Sequence, residues 1–263
     1  MIFLLVFAVC FCSCIVGAIC GIGGGVIIKP ALDAFGIMDV ATISFLSGCT
    51  VLSMTTYSVV RSKLSGSSRI DSFTGVPLAL GAAIGGVLGK NMFQAIRDMS
   101  GDANLVGAIQ AGCLLVVTVG TLVYTLLKSR IPTHRVKNRL VCVAIGLVLG
   151  VMSSFLGIGG GPINLVVLFF FISMDTKTAA ENSLYIILFS QIASLLASLL
   201  THTVPDFSVG MLCLMAAGGI GGGICGRSVN KKLDSSAVDK LFIALMVLMI
   251  FINLYNIYKF YRT

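Results

Sequence analysis

The chain has 263 residues, of which 57% are hydrophobic and only 11% charged, and its mean hydropathy is +1.04. A water-exposed domain is about one quarter charged, so a soluble globular fold is excluded and most of the surface must face lipid. The formal net charge of +8 does not imply nucleic acid: the basic residues gather in short connections such as Arg61, Lys63, Arg69 and Lys128, Arg130, Arg135, Lys137, Arg139, the pattern that sets orientation in a membrane and meets anionic head groups.

The predicted elements follow from the uncharged windows, which run 1–28, 40–60, 72–89, 103–127, 140–174, 182–205, 207–226 and 241–258. Each is near or above the roughly 20 residues that carry an α-helix across about 30 Å of hydrocarbon. The expectation is an all-α polytopic membrane protein with eight hydrophobic segments and little chain left for anything else. The first window resembles a secretory signal, but no basic residue precedes Lys29, whereas such a signal has a basic leading region; the segment is expected to belong to the mature protein. The fifth window is too long for one span and suits two partial ones. All nine cysteines lie inside these windows and no CxxC occurs, so they read as small apolar packing residues, with Cys10 and Cys14 able to share a helical face as a redox pair. No metal or cofactor is expected.

An internal repeat organises the windows. Gly21-Ile22-Gly23-Gly24-Gly25-Val26-Ile27 recurs as Gly157-Ile158-Gly159-Gly160-Gly161-Pro162-Ile163. At the same or nearly the same offset Thr42 meets Thr178, Ser47 meets Ser183, Gly75 meets Gly210, Gly85-Gly86 meets Gly221-Gly222, and Gly89-Lys90 meets Gly226-Arg227. The chain therefore divides into a first repeat, 1–127, a basic linker loop, 128–139, and a second repeat, 140–263, each repeat with four hydrophobic segments. Such duplication is typical of secondary transporters.

Glycines in the regular segments, Gly81, Gly85, Gly86, Gly89 and Gly218 to Gly223, are expected to pack helices closely. GIGGG is different, because four glycines in five residues each cost about 1 kcal/mol relative to alanine in a helix. It should interrupt the first segment of each half, leaving a broken helix or a re-entrant hairpin, and Pro162 suits the first position of a new helix. If all eight segments cross, Lys and Arg divide ten to eight between the two sides; if the GIGGG segments are re-entrant, they divide thirteen to five. The second division obeys the positive-inside rule. It makes the halves inverted repeats and puts Arg61 to Arg69 and the linker in the cytoplasm.

The stretches GIGGGVIIKPALDAFG, GIGGGPI and AAENSLYIILFSQ resemble the sulfite exporter TauE/SafE family of membrane permeases, whose signature is a duplicated glycine-rich element with proline after the first copy. The resemblance spans the whole chain. It implies a permease of the plasma membrane for small organosulfur or related anions such as sulfite, sulfonates and sulfoacetate, working by alternating access. The copies are not identical: Pro30 has no counterpart at Val166, and Pro162 has none at Val26.

Anion chemistry also follows from the residues themselves. A helix restarting after Gly25 or Gly161 leaves its first N–H groups without intrahelical partners and presents the positive end of its dipole. Two such ends near the midplane form an anion cradle, to which Gly23, Gly24, Gly25, Gly159, Gly160 and Gly161 admit an oxyanion. Asn164, in the first turn after Gly161, with Ser47, Asn182 and Ser183 from the following helices, would supply neutral donors, or would instead bond neighbouring helices. Lys29, one turn after the first GIGGG, should bind the anion or snorkel to the interface. Glu181 either carries a coupling proton or lies at head-group level; coupling to protons or sodium is open. His202, before Pro205 and Asp206, reads as loop.

Two rivals remain from other classes. An intramembrane serine protease would use Ser47 with His202 as base, but Ser47 is matched by Ser183 in the repeat, which a single catalytic serine does not predict; no catalysis is expected. A cation transporter would need more acidic residues inside the windows than this chain has.

Overall fold

Ten α-helices account for most of residues 2–66, 68–101 and 103–262, which the computed structural model describes, and no strand occurs among them. Met1 and Thr263, the outer limits of the two expected repeats, lie outside the described residues. In chain order the helices are α1 (Ile2–Cys20), α2 (Gly25–Phe35), α3 (Val40–Leu64), α4 (Ser72–Ser100), α5 (Ala103–Leu127), α6 (Arg139–Phe155), α7 (Pro162–Ile172), α8 (Thr176–Leu200), α9 (Val209–Asn230) and α10 (Ser235–Arg262). Seven of them, α1, α3, α4, α5, α8, α9 and α10, are long and apolar enough to cross a membrane, while α6 and α7 are shorter apolar helices. The protein is an all-helical, multi-pass membrane protein.

Side-chain caps set where several helices begin. Asp39 accepts from the N–H groups of Ala41 and Thr42, Asp71 from Phe73, Asn138 from Leu140 and Asp175 from Thr178. Each cap satisfies donors that a helix start leaves free and is worth about 1 kcal/mol. These polar starts lie outside the uncharged windows, so α8 begins at Thr176, six residues before its window opens. α4 continues from its window through Lys90 to Ser100.

The ends of the bundle are identified by their contacts. At one end Lys259 of α10 donates to the carbonyls of Asp33 and Ala34, Thr42 donates to the carbonyl of Asp206, and Phe260 lies against Gly107. This end holds the finish of α2, α8 and α10 and the start of α3 and α5. At the other, Lys128 pairs with Asp239, Asn182 binds the backbone of Arg69 and Asp71, and the linker donates from His134 and Val136 to the carbonyls of Phe170 and Phe171. That end holds the linker and the finish of α3, α5 and α7. Helices α3 and α8 are therefore antiparallel, and α2 and α7 run to opposite ends.

Close helix contacts explain the glycines of the regular segments. On α4, a Cβ at Gly81, Gly85 or Gly89 would overlap the carbonyl oxygens of Val143, Leu147 and Val151, and one on Gly146 or Gly150 of α6 would overlap those of Leu78 and Ala82. α4 and α6 are thus parallel helices in backbone contact, which only small residues permit. Likewise Gly218, Gly222 and Gly226 of α9 face Cys10, Cys14 and Ala18 of α1. Each tight pair joins an element of the first 127 residues to one of the last 124, so neither stretch holds its own helices together alone. The cysteines follow the same logic: Cys10, Cys14, Cys20 and Cys142 are buried apolar residues, and no disulfide forms.

Candidate functional site

The two GIGGG elements meet at the centre of the bundle. After α1 ends at Cys20, Gly21 and Gly23 take positive φ angles of 75° and 74°; after α6, Gly157 and Gly159 take 66° and 68°. This left-handed geometry costs an L-residue about 1–2 kcal/mol and is open to glycine. The turn lays Gly24 beside Cys14 and Gly17 of α1, so α2 starts alongside the helix it follows. Gly25 lies on the carbonyl of Ile158, and Gly23 is near the carbonyl of Gly159. Val51 of α3 touches Gly23, Gly25 and Gly159, and Ile187 of α8 touches Gly23 and Gly160. Both are mid-helix residues, so the breaks cross halfway along the two central helices.

The second break is built differently from the first. α2 is preceded by Gly24 in helical geometry, whereas α7 is preceded by extended Gly161 with Pro162 at its first position. Gly160 takes φ 133°, and a Cβ there would overlap Ile187. Asn164 is buried one turn into α7, and its Oδ1 has no hydrogen-bond partner. Ser47 and Ser183 are completely buried with unpartnered hydroxyls. These three polar groups remain available beside the crossing.

Two other expected site residues have partners of their own, although the Lys29 side chain passes beside Gly157 of the second break. Asn182 is committed to structure: its Oδ1 accepts from Asp71 N–H at 3.2 Å, and its Nδ2 donates to the carbonyls of Arg69 at 3.1 Å and Thr178 at 2.9 Å. Lys29 is only 3% exposed and pairs with Asp33 at 2.7 Å, one turn further along α2. Sequence reasoning missed Asp33, although Lys and Asp four residues apart on a helix are a recognisable pair. Pro30 lies inside α2, and its carbonyl accepts from Asn256 Nδ2 at 2.9 Å. Ser47 and His202 make no hydrogen bond to each other, and His202 is exposed in the loop after α8, with φ 51°.

A cavity of about 200 Å³ opens at the linker end, lined by Ser58, Arg69, Lys177, Glu181, Arg227 and Lys231, with Ala18 and Ala180 at its apolar part. Ala180 lies against Gly21, so the vestibule reaches the first glycine turn. Four cationic side chains face one carboxylate here, and such a funnel concentrates anions. Arg227 is held by the carbonyl of Ser58 at 3.0 Å and the hydroxyl of Ser65 at 3.4 Å. Glu181 accepts from the Ser62 hydroxyl and from Arg69 N–H. At the rim, partial burial alone would raise the Asp175 carboxyl, but hydrogen bonds from Thr178 and the nearby Arg69 guanidinium hold it below the usual carboxylate range. A second, much smaller cavity lies on the far side of the glycine crossing, toward the chain ends, and includes Ser44, Lys90, Gln110, Ser154 and Gly157. The sequence clue to both cavities was the match of Gly89-Lys90 with Gly226-Arg227.

No curated protein and no solved structure matches the chain. The profile described as "Sulfite exporter TauE/SafE" matches residues 6–252, which takes in both glycine breaks and both cavities. With its crossing helices and basic vestibule, this chain belongs to the sulfite exporter TauE/SafE family of membrane permeases.

Proposed function

We propose that the protein is a secondary transporter of small sulfur anions, sulfite or sulfonates, across the plasma membrane by alternating access. The observation that carries this reading is the direct contact of two glycine breaks at mid-length of α3 and α8, with a polar cavity on either side. The contact serves as the barrier. When it parts, Gly23 to Gly25 and Gly159 to Gly161 offer unpaired backbone N–H groups and helix N-termini to the anion, assisted by Asn164, Ser47 and Ser183. Glu181, in the vestibule, is the group placed to carry a coupling proton. Lys29, neutralised by Asp33, stabilises the start of α2 beside the path.

In the same reading 1–127 and 140–263 are inverted copies joined by the 128–139 linker. Asp39 and Asp175 cap α3 and α8 at equivalent positions, and the paired glycines share their positive φ angles. The partnerships are exchanged: α1 with α9 corresponds to α6 with α4. α1–α2 and α6–α7 are then re-entrant hairpins entering from opposite sides, an arrangement that rocking of one half against the other converts between inward and outward access.

Uptake of labelled sulfite into proteoliposomes containing the purified chain tests the proposal, with sulfonates as competitors and with imposed proton or sodium gradients. Flux should saturate, and Gly25→Leu and Gly160→Leu should lower it at least tenfold while each variant still inserts. Absence of flux for every sulfur anion, or full flux in both variants, would sink the reading.

A further inference from the structure

We propose that Lys90 anchors a second anion-binding station, on the chain-end side of the glycine crossing, for a compact inorganic oxyanion of sulfur. This inference rests on the transporter reading and specifies a site and substrate class within it. Lys90 is only 8% exposed, makes no ion pair or hydrogen bond with any described residue, and meets only the face of the Phe93 ring, 5.3 Å from its centroid. The ring face offsets only part of the cost of holding an ammonium so far from water, and a bound anion would offset the rest. Its cavity supplies the rest of a site: the hydroxyls of Ser44 and Ser154 are buried and unpartnered, and Gln191 reaches the same space.

The repeat explains why this cavity exists. Ser44, Gly48, Ser154 and Ser194 line it where Ala180, Leu184, Ala18 and Ser58 line the vestibule, each at an offset of 136 residues, and Lys90 stands where Arg227 stands. The two cavities are counterparts, one on each side of the barrier. One is wide and charged, the other narrow and lined with hydroxyl and amide groups. Charge balance also selects Lys90 over Lys29: Lys29 already has Asp33 at 2.7 Å, whereas Lys90 has no carboxylate within ion-pair distance among the described residues. The cavity measures about 20 Å³ against about 200 Å³ for the vestibule. A single water needs about 10–15 Å³ on this scale, so a compact oxyanion enters only as the lining side chains move outward, and an organic tail would demand a larger movement.

Titration calorimetry on the full chain in nanodiscs of uncharged lipid, with sulfite under anaerobic conditions and with sulfoacetate, tests the station. Wild type should bind sulfite at least tenfold more tightly than sulfoacetate; Lys90→Met should lose at least tenfold in sulfite affinity, and Lys90→Arg should stay within about threefold. Wild-type affinity in Lys90→Met overturns the station while leaving transport intact, provided wild type still moves sulfite in liposomes. A wild type that neither binds nor moves any sulfur anion overturns both. If Lys90→Met is not recovered as a monodisperse protein, the Ser44→Ala/Ser154→Ala variant decides instead. It removes two unpartnered hydroxyls, and unchanged sulfite affinity overturns the station.

Discussion

At the residue scale, charge is decided by partners and not by position in the sequence. Lys29 stood out because it follows a glycine break, yet its ammonium is already matched by Asp33 on the same helix. Removing one member of a buried pair leaves an uncompensated charge and costs about 3–5 kcal/mol, whereas replacing both with apolar groups is often near neutral. Lys29→Met and Asp33→Asn should therefore each lower the unfolding temperature of the purified protein markedly, and Lys29→Met/Asp33→Leu should recover most of the loss. A double variant as unstable as the two single losses added together would show that the residues do not act as a pair. Lys90 shows the opposite case. It follows the end of an uncharged window in the sequence, and α4 continues past it and carries it into a cavity. Periodicity reports which residues avoid water; it does not report which buried cation lacks a counterion, because that depends on helices far away in the chain. The glycine breaks and the serine pair Ser47 and Ser183 are marked in the sequence by the repeat, whereas Asn164, opposite Ile28 in the repeat, stands out only by following Gly161. The committed bonding of Asn182 was not legible, because its partners, Arg69 and Asp71, come from another loop.

At the element scale, the same residue type does two jobs that sequence context separates. In GIGGG the glycines accept positive φ and turn the chain; at intervals of four along α4 they remove side chains so that α6 can lie in backbone contact. Both roles were readable, the first from the density of glycine and the second from its helical spacing. The identity of the partner helix was not readable, since α4 contacts α6 and α1 contacts α9 across the two halves. Gly85→Leu tests the packing role. Its side chain would overlap the Leu147 carbonyl, so α4 and α6 must separate and lose contacts along both helices. The variant should unfold at a lower temperature than wild type. Gly112→Leu, on α5, meets nothing within 4 Å and gains helix propensity, so it should hold or slightly raise the unfolding temperature. Equal effects of the two substitutions would mean that glycine acts here only through helix propensity.

At the scale of the whole molecule, the proposed reading gives one charge asymmetry two consequences, orientation and anion gathering. The end of the bundle with the linker collects thirteen of the eighteen Lys and Arg residues, among them Arg61, Lys63, Arg69, Lys128 and Arg227. The positive-inside rule would keep such an end in the cytoplasm, and Arg69, Lys177, Arg227 and Lys231 of this set line the wide vestibule, so in the proposed orientation the end retained inside is also the one that gathers anions. If α1–α2 and α6–α7 are re-entrant hairpins, as proposed, the start of α1 and the finish of α10 share the outer side, since α10 finishes beside the end of α2 and the start of α5. Single cysteines test this in a variant whose nine native cysteines are replaced. Ser129, exposed in the linker, should react with a membrane-impermeant maleimide only after the cells are opened. Met99, 86% exposed at the finish of α4, should react in intact cells. Labelling of Ser129→Cys in intact cells, with Met99→Cys protected, would reverse the orientation and turn the basic vestibule outward. Labelling of both in intact cells would mean that α6–α7 and α1–α2 do not enter from opposite sides, and the inverted arrangement would fall with the orientation.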